Sequence, residues 1–128
     1  MKPQAHLDAI RLRLITSPVV SRVDIVRTQD FGDKGYFRAR LVLANGDFVE
    51  VAEFFVINAG APATVEYRFQ WMDSTRQVLR KRWDSAAHYP NLPGAPHHVH
   101  VGDETAVEPG KPITLLDLID LLEQTVDF

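Results

Sequence analysis

Tyr36-Phe37-Arg38-Ala39-Arg40-Leu41-Val42-Leu43, then Ala44-Asn45-Gly46-Asp47, then Phe48-Val49-Glu50-Val51-Ala52-Glu53-Phe54-Phe55-Val56-Ile57, is the stretch on which the fold turns. In the first run Phe37, Ala39, Leu41 and Leu43 alternate with Tyr36, Arg38 and Arg40, the two-residue period of a half-buried strand. Asn45-Gly46 predicts a type I′ turn, because both residue types tolerate positive φ. The second run returns as a partner strand, so the stretch reads as a β-hairpin.

Working outward, Val19 to Arg27 is rich in β-branched residues and predicts a strand, set off by the loop residues Asp30 to Gly35. On the other side, Asn58 to Pro62 is a turn. Val65, Tyr67, Phe69 and Trp71 then lie on one face of a strand, opposite Glu66, Arg68 and Gln70. Met72 to Thr75 turns again, and Gln77 to Trp83 returns. Upstream, Leu7, Ile10 and Leu14 suit a helical face, although Ile10, Leu12 and Leu14 also alternate as a strand would. The helix is preferred, ending near Ser17-Pro18, because proline disfavours helix in the residue before it. Near the C-terminus Thr114 and Asp117 have the spacing of a capping box. Ile113 and Leu118 form a hydrophobic staple, and Leu115, Leu118, Ile119 and Leu122 form a packing stripe. The expected architecture is α+β: a five-stranded antiparallel meander with an N-terminal and a C-terminal helix packed on it, in a single domain over residues 1–128.

Composition narrows the function classes. The 128 residues include no cysteine, which excludes disulfides, thiolate metal sites and cysteine nucleophiles and suits a reducing, cytoplasmic setting. No apolar run approaches the ~18–20 residues of a membrane span, and the first residues lack the apolar core of a signal peptide. The formal net charge is −3, so contact with nucleic acid has to be local. No serine sits in a G-x-S-x-G elbow, and phosphate-loop, dinucleotide and H-E-x-x-H patterns are missing.

The chemistry concentrates between Arg82 and His100. Residues 85–96 read as an irregular loop, with Pro90, Pro93, Gly94 and Pro96, and residues 97–101 as a short extended piece. His98 and His100 then point to one side, roughly 6–7 Å apart along the chain, while His97, Val99 and Val101 face the other way. Two imidazoles at that distance can ligate a divalent metal ion, with His88 and Asp84 as further candidate ligands. They can equally serve as acid and base across a phosphodiester, with Asp84 orienting an imidazole. A hydrogen-bonded polar surface is the plain alternative. Arg76, Arg80, Lys81 and Arg82 lead into this segment; Arg80 and Arg82 are expected on one face as phosphate or nucleic-acid contacts. Glu53, on an otherwise apolar face, is costly unless paired and is a possible supporting residue beneath the sheet.

Arg82-Trp83-Asp84-Ser85-Ala86-Ala87-His88, followed by Pro96-His97-His98-Val99-His100, resembles the TumE family of small toxins from prokaryotic toxin–antitoxin modules. The similarity runs over roughly residues 10 to 122. It includes Ser17 to Val20, the Asn45-Gly46 turn, a glutamate strand like that of Glu53 and an aromatic strand like Tyr67 to Trp71. The family's first segment reads Asp-Asn-Ala-Pro-His-His, so Ser85, Ala87 and Tyr89 depart from it, while His97, His98 and His100 are intact. The resemblance implies a toxin neutralised by a cognate antitoxin protein, and it is compatible with a homodimer. The arginines beside the histidines point to RNA or another phosphate-bearing molecule as target. Together these readings put Asp84, His88, His97, His98 and His100 in the candidate catalytic set. A non-catalytic protein-binding module and a metal-stabilised domain remain as alternatives.

Overall fold

The computed structural model describes residues 1–126, so Asp127 and Phe128, the end of the expected domain, lie outside the described residues. Helix α1 (Pro3–Thr16) opens the chain, with Pro3 in its first turn, where a missing N–H costs nothing. Leu7, Ile10 and Leu14 are buried while Leu12 is 63% exposed, which the strand alternative does not allow. Seven strands follow, β1 (Val20–Asp30), β2 (Lys34–Leu43), β3 (Phe48–Asn58), β4 (Ala61–Met72), β5 (Leu79–Asp84), β6 (His98–Val101) and β7 (Val107–Pro109), and helix α2 (Leu115–Thr125) comes last. They form one antiparallel sheet in which every strand lies beside its sequence neighbours, from β1 to β7. The α+β class and both helices agree with the sequence, but the sheet has seven strands rather than five. Strands β6 and β7 are too short to show a period. They exist because Trp83 and Asp84 pair with Val99 and His98, and His98 in turn with Pro109.

The hairpin of β2 and β3 forms in the expected register, but its turn differs. Gly46 N donates to Leu43 O and Leu43 N to Asp47 O, and only Gly46 of the turn has positive φ (91°). This is a type I turn closed by a glycine bulge, not a type I′ turn. Positive φ at two successive turn positions occurs instead at Ala59 (52°) and Gly60 (79°), between β3 and β4.

Both helices cover one face of the sheet. Leu7, Ile10 and Leu14 of α1 and Leu115, Leu118, Ile119 and Leu122 of α2 pack with Phe37, Leu41, Val51, Phe55, Phe69 and Trp83 in one buried cluster. Each fully buried side chain of this size is worth about 1.5–3 kcal/mol. Arg13 ties the helices together through Asp120 and Glu123, and the Ser17 hydroxyl also donates to Glu123 (2.9 Å). The capping box at Thr114 and Asp117 is formed in both directions. The opposite face carries no helix and presents Arg38, Ala52, Arg68 and their neighbours outward. Among the described residues no helix is long and apolar enough to cross a membrane.

Candidate functional site

Cross-strand register builds the site. Arg38 pairs with Ala52, Ala52 with Arg68, Arg68 with Asp84, and Asp84 with His98. One rung along, Arg40, Glu50, Gln70, Arg82 and His100 line up across the same strands. Alternation puts both rows on the face away from the helices. Asp84, His98 and His100 therefore meet at the β5–β6 end of the uncovered face.

All three are buried, with relative exposures of 8%, 1% and 3%. One ligating atom from each lies within 4.8 Å of the other two. The imidazole centroids are 5.0 Å apart and their planes are at 75°. His98 Nδ1 lies 3.0 Å from Pro96 O, and His100 Nδ1 2.7 Å from Glu104 O. A carbonyl only accepts, so each Nδ1 carries the hydrogen and each Nε2 presents a lone pair to the cluster. His98 Nε2 is buried without a hydrogen-bond partner, and Asp84 Oδ2 is 4.0 Å from it. The other Asp84 oxygen accepts from Ala86 N (2.7 Å), which fixes the carboxylate as the chain leaves β5. Burial pushes the His100 imidazole below its ordinary value. The charges of Arg82 and His98 add to this, while the Glu104 carbonyl and Asp84 oppose it.

The other sequence candidates lie elsewhere. His97 faces the helix side, as alternation requires. It stacks on Tyr67 (5.7 Å between centroids, 9° between planes), with Nδ1 2.8 Å from the Tyr67 hydroxyl. His88 is exposed in the loop and contributes no atom to the cluster. Arg80 does not share a face with Arg82. Trp71 pairs with Lys81 and Met72 with Leu79, so Arg80 is the extra residue of a bulge. Its Nε donates to buried Asp47 (2.7 Å), which also accepts from Trp71 Nε1 (2.9 Å). Glu53 is buried on the helix-covered face, 3.5 Å from His6 Nε2, and its Oε2 accepts from Leu115 N (2.7 Å). It satisfies an otherwise orphaned N–H in the first turn of α2 and sits across the sheet from the histidines.

Arg82 stays with the cluster: its Nη1 donates to Glu104 (2.9 Å) and Gln70 (3.3 Å), and this bond holds the Glu104 carboxyl below the usual carboxylate range. Two further residues were missed in the sequence. Arg68, opposite Asp84, is exposed, hydrogen-bonds Gln70 (3.3 Å) and has no ion-pair partner among the described residues. Its polar-face alternation with Glu66 and Gln70 was visible, but its place beside Asp84 needed the β4–β5 register. Tyr89 packs its ring edge-on against His98 (4.9 Å) and His100 (6.0 Å). A groove of about 280 Å³ runs from Asp84, Ser85 and Ala86 past Arg68 to Tyr36 and Phe54.

The family model described as Toxin TumE matches residues 8–127. The chain belongs to the TumE toxin family. Membership makes it the toxin component of a toxin–antitoxin module, with an antitoxin as its partner. No curated protein and no solved structure matches it. The TumE match begins within α1 and spans the whole sheet and α2, so it includes Asp84, His98 and His100 together with the strands that bring them into contact. Tyr89 is within the matched range and lies against the cluster.

Proposed function

We propose that this TumE toxin acts on RNA and that Asp84, His98 and His100 form its reaction centre. The observation that carries this reading is their convergence, with His98 Nε2 buried and unpartnered, at the end of an open sheet face that bears Arg38, Arg68 and Arg82. Attack on a phosphodiester needs cations to hold the phosphate and lone pairs to accept a proton or bind an electrophile. Arg68 offers an exposed guanidinium opposite Asp84, while Arg82, buried beside His100, is held by Glu104 and Gln70. Tyr36 and Phe54 line the groove that ends at Asp84 and offer ring faces to unpaired bases. With a net charge of −3 the whole chain does not attract RNA, so binding rests on this local row of arginines.

Growth of a bacterial host tests the reading. Induction of the wild type should arrest growth, and the His98→Ala/His100→Ala double mutant, expressed to the same level and still folded, should not. RNA from the arrested cells should carry new ends or modifications that are lacking with the mutant. Arrest by both proteins would move the activity off the cluster and favour a binding module that acts by sequestration.

A further inference from the structure

We propose that Asp84, His98 and His100 form a site for one divalent transition-metal ion, with a carboxylate oxygen and the two Nε2 atoms as its protein ligands. The location is that of the proposed reaction centre, and the functional weight of the site rests on that reading, while ion binding stands on geometry alone.

Three acceptor atoms face one another here. Both Nδ1 hydrogens are committed to the carbonyls of Pro96 and Glu104, so neither Nε2 has a hydrogen to give to the other or to Asp84. An extra proton on His98 does not resolve the contact, because Nε2 is 4.0 Å from Asp84 Oδ2, well beyond the ~2.7–2.9 Å of a charged N–H···O bond. A buried lone pair without a partner is costly, and among the described residues His98 Nε2 is such an atom. A cation among the three resolves all of these at once. The backbone carbonyls then act as the outer partners that fix the tautomer and aim of a metal-bound histidine. They flank β6 on both sides, Pro96 before it and Glu104 after it, so the local fold sets both ring orientations.

Ligand chemistry names the class of ion. Two imidazoles and one carboxylate suit zinc and its first-row neighbours, not calcium or magnesium, which take oxygen ligands. Three protein ligands leave at least one position open, as in zinc sites that do chemistry. A tetrahedral ion with bonds of about 2.0–2.2 Å holds its ligand atoms roughly 3.4 Å apart. The present separations, up to 4.8 Å, close by about an ångström of side-chain movement. The Arg82 charge beside the site is offset by Glu104 (2.9 Å).

The full chain, stripped with chelator and dialysed, is titrated with Zn(II) and, as a visible probe, with Co(II). One ion per chain should bind, with cobalt absorption in the range of four- or five-coordinate sites and a higher melting temperature on adding zinc. Asp84→Asn, which keeps the side-chain shape, and His98→Ala should each weaken binding by more than the ~10–100-fold that loss of an outer partner costs. No stoichiometric binding by the wild type, or equal binding by wild type and folded Asp84→Asn, overturns the proposal. Growth arrest through these histidines by a protein that binds no ion would overturn the metal site and leave the toxin reading standing. Binding that is lost in Asp84→Asn while arrest persists would leave the ion site standing and overturn its place as the reaction centre.

Discussion

Each face of the sheet buries a carboxylate beside a histidine, and the two pairs are used differently. On the helix-covered face Glu53 lies 3.5 Å from His6 and accepts from Leu115 N, at the N-terminus of α2. On the open face Asp84 lies 4.0 Å from His98, with His100 close by and no donor between the three acceptors. The first pair holds a helix in place. The second turns the lone pairs of two imidazoles towards a carboxylate that has no hydrogen to donate. Residue type alone does not separate the two, since both are buried acid–histidine pairs on strands. The partners do: a backbone N–H binds Glu53 Oε2 and leaves Oε1 3.5 Å from His6 Nε2, whereas backbone carbonyls take the Nδ1 hydrogens of His98 and His100, so that neither Nε2 has one to give Asp84.

The contrast breaks first on substitution. Asp84→Asn should abolish growth arrest while leaving thermal unfolding nearly unchanged, because the amide oxygen still accepts from Ala86 N. Arrest at the wild-type level would make Asp84 structural like Glu53. Conversely, Glu53→Ala leaves the Leu115 N–H buried and should cost about 2–3 kcal/mol in denaturant unfolding. A cost close to zero would mean that α2 is held by its apolar stripe and capping box alone.

The arginines sharpen the same contrast at a smaller scale. Arg80→Ala strips a partner from buried Asp47 and should lower stability by up to about 1 kcal/mol, with RNA binding unaffected. Arg68→Ala should stay within about 0.5 kcal/mol of wild-type stability. It should weaken binding of a single-stranded RNA and lower the salt dependence of that binding by about one unit of log–log slope. An unchanged slope would remove Arg68 from the phosphate path. The remaining effect is alkaline. Burial, with help from the Asp84 charge and against a backbone hydrogen bond at Ile113, pushes the Tyr67 hydroxyl up to about 12 from an ordinary 10.0. Between those values the unfolded chain releases a proton that the folded chain keeps, so stability present below pH 10 falls as pH rises towards 12. Tyr67→Phe should lack that part of the decline, and identical alkaline curves for the two proteins would place the hydroxyl in water.

The sequence made legible what depends on neighbours. The β2–β3 hairpin, the capping box of α2 and the opposite orientations of His97 and His98 all follow from short-range alternation or spacing. What it hid depends on pairing over distance. His98 to Val101 is a strand only because β5 receives it, and the position of Arg68 beside Asp84 is set by the register across the 73–78 turn. The bulge that turns Arg80 towards Asp47 leaves no mark in Leu79-Arg80-Lys81-Arg82. His88 was grouped with the cluster because it is close in sequence, yet the loop carries it outward.

A sheet whose strands lie in the order in which they occur in the chain can be laid down as it leaves the ribosome, each new strand docking on the edge left by the last. The cluster draws on β5, β6 and the carbonyl of Glu104, all C-terminal to the 73–78 turn. A growing chain therefore carries no assembled cluster until translation has passed residue 104.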